Sequence, residues 1–304
     1  MRFPRAQALI KRAIEIGYAS LLVRRRMSRG PRHMLDAPLV VSLTSHPPRF
    51  KTLHLTLSSL LNQSVSPDHL VLWLADGDEE SLPQEVLSLR RFGLEIRKSE
   101  NYRSATKIIP AIRAFPDAYI VTADDDIYYP RAWLKTLIAS ALPSTQDIVS
   151  YVVRRPIYRG DEFAPVADWN VNLVDETTQT ASDDLFATGY AGVLYPPRSL
   201  HSDVLDGAAF MELCPTCDDS WIAWMARRQG TLVRRPDAPR WAGHITWQGT
   251  NAGSLSSQNL FNPDSISVKQ DEINRRMAEH FGPLNKLKSP PSEEIVCRSS
   301  AARS

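Results

Sequence analysis

The stretch Ala118-Tyr-Ile-Val-Thr-Ala-Asp-Asp-Asp-Ile-Tyr-Tyr-Pro130 decides the fold, because a run of mostly apolar and small residues ends there in three consecutive carboxylates. Carboxylates are rare where a buried strand ends, since their burial is unfavourable unless a cation or hydrogen bonds compensate it. Oxygen ligands of this kind suit Mg²⁺ or Mn²⁺, and open α/β sheets bind their ligands at this edge. The alternative is an aspartate-rich turn that caps the following helix.

Strands and helices alternate on both sides of the acidic triplet, Asp124-Asp125-Asp126. Short apolar runs predict strands, and apolar residues at helical spacing predict helices. The predicted strands are 38–44, 69–75, 94–97, 118–123, 147–153 and 186–195, and the predicted helices are 50–63, 83–91, 104–115, 131–142, 199–205 and 218–229. This order predicts an α/β fold with a mostly parallel, right-handed wound central sheet flanked by helices.

Composition and length predict a globular protein in a reducing compartment. The chain has 304 residues, of which 43% are hydrophobic and 23% charged, which is ordinary for a soluble protein. Its three cysteines, Cys214, Cys217 and Cys297, are too few for a disulfide scaffold. No apolar run approaches the roughly 20 residues that a membrane-spanning helix needs, so we expect a protein that does not cross a membrane.

The N-terminal segment concentrates positive charge. Residues 1–32 carry nine basic side chains and one acidic one, whereas the whole chain has a net charge of only +2. Apolar residues between the bases give a loosely helical face, which favours a basic amphipathic segment over residues 1–36 that contacts an anionic membrane surface. Arg24-Arg-Arg26 after this apolar stretch argues against a cleavable signal peptide. A basic helix packed on the domain and a disordered arm remain the alternatives, and no nucleic-acid binding is expected because the remaining chain is acidic.

A second acidic group, Asp218 and Asp219, begins the helix predicted over residues 218–229. One carboxylate is expected to cap this helix, which leaves the other free to act as a general base near the triplet. The alternative is a cap with a solvated neighbour. The preceding Cys214-Pro-Thr-Cys217 has the spacing of thiol oxidoreductases, but its late position in the chain favours two reduced, buried thiols.

Six ordered segments carry a family resemblance: residues 41–50, 60–63, 71–74, 120–130, 188–197 and 214–221. Over residues 38–235 the chain resembles bacterial glycosyltransferases of family 2, which have the Rossmann-like GT-A fold. The resemblance implies a single GT-A domain, which we place at residues 37–285 after the basic segment 1–36. The composition of residues 286–304, with Pro290-Pro291, predicts a disordered tail. It also implies a hexosyltransferase-type enzyme that takes a sugar from a nucleotide-sugar donor, with a UDP-sugar favoured. The acceptor would be a glycan or lipid-linked hydroxyl in surface-polysaccharide synthesis, in the cytoplasm or peripherally at the inner face of the plasma membrane.

The resemblance implies roles for individual residues as well. The donor-binding residues would be Thr44 and Arg49 in the nucleotide pocket, Asp76 at the base, Lys107 near the diphosphate, Asp124 at the ribose, and Asp125 beside them. The metal, Mn²⁺ or Mg²⁺, would be bound by Asp126 with Asp124 and His244. Asp219 would be the general base, with Asp218 as its neighbour, and a single displacement with such a base would invert the anomeric centre.

The family pattern is not met everywhere. Cys217 stands where a small residue such as alanine is expected, and residues 241–251 match less clearly. His244 is therefore either a metal ligand or a hydrogen-bonded structural residue. Two other functions remain open: a non-catalytic GT-A-like module that binds glycans or partners, and a thiol oxidoreductase. Metal-dependent nucleotide binding would argue against the first, and a low thiol pKa would favour the second.

Overall fold

The computed structural model describes residues 17, 20–21, 30–141, 145–170, 173–238, 245–247 and 263–287, with only the backbone given for 263–269. The strands are β1 (Leu39–Thr44), β2 (His69–Leu74), β3 (Leu94–Lys98), β4 (Tyr119–Thr122), β5 (Ile127–Tyr128), β6 (Ile148–Arg154), β7 (Tyr158–Arg159), β8 (Glu162–Phe163), β9 (Phe186–Tyr195), β10 (Val233–Arg234) and β11 (Ile245–Thr246). The α-helices are α1 (Phe50–Leu61), α2 (Gln84–Leu87), α3 (Ile109–Ala114), α4 (Trp133–Ser140), α5 (Gly207–Leu213), α6 (Asp218–Gln229) and α7 (Pro263–Phe281).

Seven of these strands form one central sheet in the order β10-β6-β9-β4-β1-β2-β3. Strand β9 runs antiparallel to both of its neighbours, and the other six strands share one direction. Helical connections join the parallel strands, as crossovers between such strands require. The predicted α/β class with a mostly parallel sheet is confirmed.

The register of the sheet sets the place of the polar residues that follow its strands. Ser42 of β1 lies opposite Val71 of β2 and Thr122 of β4. The carboxyl ends of these three strands therefore meet at one edge of the sheet, and the acidic triplet follows β4 at that edge.

Apolar side chains fill both faces of the sheet, as expected for a largely parallel sheet covered by helices. In β1, Leu39, Val41 and Leu43 pack on one face with α1 and α4, whereas Val40 packs on the other face with α6. The two faces explain why the strands read as continuous apolar runs rather than alternating ones.

Residues 154–185, which the sequence left without a regular pattern, contain the β7–β8 hairpin. Tyr158 stacks on Phe163 with ring centroids 4.8 Å apart, and Phe163 packs in turn on Trp169 and Trp224. Trp169 is 3% exposed, so it belongs to the core. The predicted helix at 199–205 is a 3₁₀ helix over Ser202–Leu205, and the sequence missed α5.

The termini lie largely outside the described residues. Of the basic segment at 1–36, residues 30–36 lie against the domain, where His33 is buried with Nε2 2.7 Å from an Asp68 carboxylate oxygen. Residues 288–304 of the expected tail are not described, so the domain boundaries stay predictions. Within the described part of the chain, no helix is long and apolar enough to cross a lipid bilayer.

Candidate active site

The acidic triplet lies between β4 and β5, and protein donors surround it. Asp125 is buried and accepts hydrogen bonds from the Ser45 hydroxyl, at 2.6 Å, and from the Arg49 guanidinium. The same Arg49 nitrogen lies 3.0 Å from an Asp126 carboxylate oxygen. Burial, together with the charges of Asp124 and Asp125, raises the pKa of Asp126 to about 6 despite Arg49. Asp126 thus binds a proton more readily than an exposed aspartate does.

The backbone of the triplet is also held. The Asp124 amide donates to the Tyr129 hydroxyl at 2.7 Å, and the Asp125 carbonyl accepts from the Thr56 hydroxyl at 2.9 Å. The Asp126 carbonyl accepts from the Trp247 amide at 2.9 Å, in line with the pairing of β11 with β5. Three separate parts of the chain therefore fix the course of the loop that carries the triplet.

The acid pair Asp218 and Asp219 opens α6, but neither carboxylate caps it. The N-cap position belongs to Cys217, and no side-chain capping bond is made there. The expectation of a carboxylate cap was wrong: the Gly189 amide donates to Asp219 at 2.7 Å, and Asp218 contacts Lys107. Burial first, and then the charge of Asp218, raise the pKa of Asp219 to about 7.

Lys107 joins the triplet and the acid pair into one cluster. Its ammonium nitrogen lies 2.9 Å from an Asp124 oxygen and 3.3 Å from an Asp218 oxygen. Burial alone would lower its pKa, but the charges of Asp124 and Asp218 raise the pKa of Lys107 well above its ordinary value. The triplet and the acid pair therefore share one buried cation, although Asp126 and Asp218 are 92 positions apart in the sequence.

Other candidate residues from the sequence take different places. The Thr44 hydroxyl donates to the Trp73 carbonyl at 2.9 Å, at the end of β1. Asp76 follows β2 and is fully exposed, with a carboxylate oxygen 2.9 Å from Lys98. Their nucleotide-binding roles stay predictions. His244 lies outside the described residues.

The sequence missed four residues that contact the triplet: Ser45, Thr56, Tyr129 and Trp247. Thr56 is a polar residue beside the apolar stripe of Leu53, Leu57 and Leu60 in α1, which is a signal that the sequence offered. Ser45 follows β1 directly and so reaches the same edge as the triplet. Nothing in the local sequence pairs Trp247 with α1, since the hydrogen bond from its indole to Thr56 joins residues 191 positions apart.

The described residues fit a divalent cation in chemistry. They contain no group of three His, Cys, Asp or Glu side chains arranged to hold a metal ion. Mg²⁺ is usually bound through one or two carboxylates together with substrate phosphates, so a closed protein cage is not required. The donors at the triplet are all oxygen, and three consecutive carboxylates concentrate negative charge there. Both properties suit a hard cation.

The Cys214 and Cys217 thiols do not have the properties of a redox centre. Burial raises the pKa of both thiols, whereas reactive thiols have lowered pKa values. Cys217 lies 3.3 Å from the Ser220 hydroxyl. These properties favour the structural interpretation of the pair over the oxidoreductase alternative.

Comparison with known proteins gives one family and several solved structures. The family model described as glycosyl transferase family 2 matches residues 48–193. Similar structures include a mannosyltransferase from Pyrobaculum calidifontis in complex with GDP-Man and Mn²⁺, with 14% identity, 98% of this chain and 89% of that chain covered, and a TM-score of 0.43. Another is glucosyl-3-phosphoglycerate synthase from Mycobacterium tuberculosis, with 10% identity, 81% of each chain covered, and a TM-score of 0.41.

No curated protein matches this chain. The family model covers Lys107, β4, the triplet and most of β9, but not the acid pair at residues 218 and 219. It confirms the expectation of a GT-A glycosyltransferase similar to family 2. Residues 48–193 match the model of glycosyl transferase family 2, and the protein is therefore a glycosyltransferase.

Proposed function

We propose that this protein transfers a sugar from a nucleotide-sugar donor, with a UDP-sugar favoured, to a hydroxyl of a glycan or lipid-linked acceptor. The reaction depends on a divalent metal and inverts the anomeric centre. One observation carries the proposal: Lys107 contacts Asp124 of the triplet and Asp218 of the acid pair, so groups suited to the two halves of a sugar transfer lie in one cluster.

The donor half of the site stabilises the leaving diphosphate. As the bond from the anomeric carbon to the phosphate oxygen breaks, its electron pair leaves with the diphosphate, and the developing charge needs neutralisation. Lys107 and Arg49 supply positive charge beside the triplet. Asp126 and Asp124 would hold Mn²⁺ or Mg²⁺, with His244 as the further predicted ligand, and a bound metal would act as a Lewis acid on the diphosphate oxygens.

The acceptor half activates the nucleophile. Asp219 takes the proton from the acceptor hydroxyl as that oxygen forms its bond to the anomeric carbon. A base whose pKa lies near neutrality combines the deprotonated state with useful proton affinity, and burial gives Asp219 such a pKa. A base acting from the side opposite the diphosphate gives a single displacement, which inverts the configuration.

The biological setting rests on sequence. The basic segment at residues 1–32 is suited to an anionic membrane surface. Contact there would bring a cytoplasmic enzyme to lipid-linked acceptors at the inner face of the plasma membrane. The resemblance in the sequence supports surface-polysaccharide synthesis as the process.

Calorimetry tests the donor site directly. We expect UDP or GDP to bind the wild-type protein in the presence of Mn²⁺, and we expect Asp126→Ala to abolish that binding. Asp117→Ala removes an exposed aspartate that pairs with Arg198, so it serves as the matched control and should bind as the wild type does. Absence of binding by the folded wild type would overturn the proposal in favour of a glycan-binding module, and equal binding without Mn²⁺ would overturn metal dependence.

A further inference from the structure

Strand β9 contains a looped-out segment beside the acid pair. Thr188 lies opposite Val152 of β6, but Val193 lies opposite Ser150. Four residues of β9, 189–192, therefore face a single residue of β6, Tyr151. Irregularities of this kind are common next to active sites, where they change the direction of a side chain or backbone group.

The looped-out segment, residues 189–192, has a backbone conformation that needs support. Ala191 has φ 68° and Gly192 has φ 110°, and a residue with a side chain rarely adopts positive φ unless its surroundings enforce it. The buried indole of Trp133 supplies that support by donating to the Ala191 carbonyl at 2.7 Å. A Cβ atom at Gly192 would lie 2.6 Å from the same indole, so the contact requires glycine there.

The opposite end of the segment contacts the base. The Gly189 amide donates to an Asp219 oxygen at 2.7 Å. A Cβ atom at position 189 would lie 3.1 Å from that Asp219 oxygen and 3.3 Å from the Lys107 nitrogen. Because Gly189 has no side chain, its amide, the Asp219 carboxylate and the Lys107 ammonium can approach one another.

We propose that the looped-out segment positions the Asp219 carboxylate, with the Gly189 amide as the contact and Trp133 as the anchor. Gly189 and Trp133 are positioning residues, because they act on the reaction through Asp219. The inference rests on the proposed function only in giving Asp219 the role of base. The hydrogen bond itself is independent of that role.

The charge on Asp219 depends on groups from several elements. The titratable and charged groups that act on it are Asp218 and Cys217 near the start of α6, Lys107 before α3, Arg154 at the end of β6, and Tyr195 at the end of β9. The Gly189 amide favours the charged carboxylate. Its displacement should therefore raise the pH at which Asp219 loses its proton.

Carbon-13 NMR of the aspartate carboxyl groups in the full chain measures this pH directly. The Asp219 resonance is assigned by its loss in Asp219→Asn. We expect Gly189→Ala and Trp133→Phe each to raise the titration midpoint by about one pH unit, the size expected for the loss of one hydrogen bond to a carboxylate. Trp169→Phe is the matched control, because it removes an equivalent buried indole bond, to the Ala164 carbonyl, away from the base, and should leave the midpoint unchanged.

Each result has one meaning. An unchanged midpoint in folded Trp133→Phe would overturn the anchoring role and with it the proposal, and Trp133→Phe keeps the test available if Gly189→Ala does not fold. Raised midpoints in both variants would support the proposal. If the midpoint moves but the pH dependence of sugar transfer does not, the positioning role stands and the role of Asp219 as base in the proposed function fails.

Discussion

The acidic triplet and the acid pair share Lys107, but the protein holds them in different ways. The triplet receives donors from several parts of the chain: Ser45, Arg49, Thr56 and Trp247. In the described part of the chain, Asp219 accepts one hydrogen bond, from the Gly189 amide. Burial raises the pKa of both Asp126 and Asp219, to about 6 and about 7, so the two groups differ in how many parts of the chain hold them rather than in their affinity for a proton. A rigidly held triplet suits charge binding, and a carboxylate with a single donor suits proton transfer.

The strongest test of this comparison is Asp219→Asn. The amide keeps the shape of the side chain but cannot take a proton, so turnover should fall about 100- to 10,000-fold, the usual contribution of a general base. Burial raises the pKa of Asp219 to about 7, so wild-type turnover should rise with pH through that value and the rise should be absent from the variant. Calorimetry with Mn²⁺ should give unchanged nucleotide binding. A comparable loss of nucleotide binding would contradict the division between the two acidic groups.

Lys107→Met tests the shared cation. It should leave Asp124 and Asp218 without their buried partner, and breaking a buried pair in this way costs about 3–5 kcal/mol of unfolding free energy. Urea denaturation measures the change. Lys98→Met is the matched control, because it breaks an exposed pair with Asp76 and should have little effect on stability. Equal effects of the two substitutions would show that Lys107 does not join the two groups energetically.

The sequence predicted the triplet better than it predicted the acid pair. The apolar runs predicted β1, β2, β4 and β9 close to their observed bounds. These strands are buried, so their sequences are apolar, and the polar turns on either side mark where they end. The triplet was recognisable since it interrupts such a run with charge. The acid pair was recognisable as a helix start, although the expected cap was wrong.

The contacts that distinguish the two groups were not predictable from local sequence. Lys107 reaches Asp218 across 111 positions, and β9 enters the sheet antiparallel, between β4 and β6. A period-two pattern fixes which face a residue occupies but does not fix which strands are neighbours. Gly189 and Gly192 are visible in the sequence, but nothing in it identifies the groups that approach them.

The smallest expected effect concerns the donors that fix the backbone of the triplet. The Trp247 indole donates to the Thr56 hydroxyl at 2.9 Å, and that hydroxyl donates to the Asp125 carbonyl at 2.9 Å. Thr56→Val removes both bonds without a large change in shape, and Trp247→Phe removes only the first. Because both single variants lose the shared bond, a double-mutant cycle should give a coupling of about 1 kcal/mol in unfolding free energy.

The same double-mutant cycle can be measured on Mn²⁺-dependent nucleotide binding. It then tests whether these two hydrogen bonds affect the triplet. Of the two, only the bond from the Thr56 hydroxyl ends on the backbone beside Asp126, at the Asp125 carbonyl, and the Trp247 indole supports that hydroxyl, so binding should weaken more in Thr56→Val than in Trp247→Phe. Thr136→Val removes an exposed helical hydroxyl that donates to the Ala132 carbonyl and is the control. Additive effects on stability would contradict the coupling. Coupled stability with unchanged binding would mean that the remaining donors, Ser45 and Arg49 above all, suffice to hold the triplet in place.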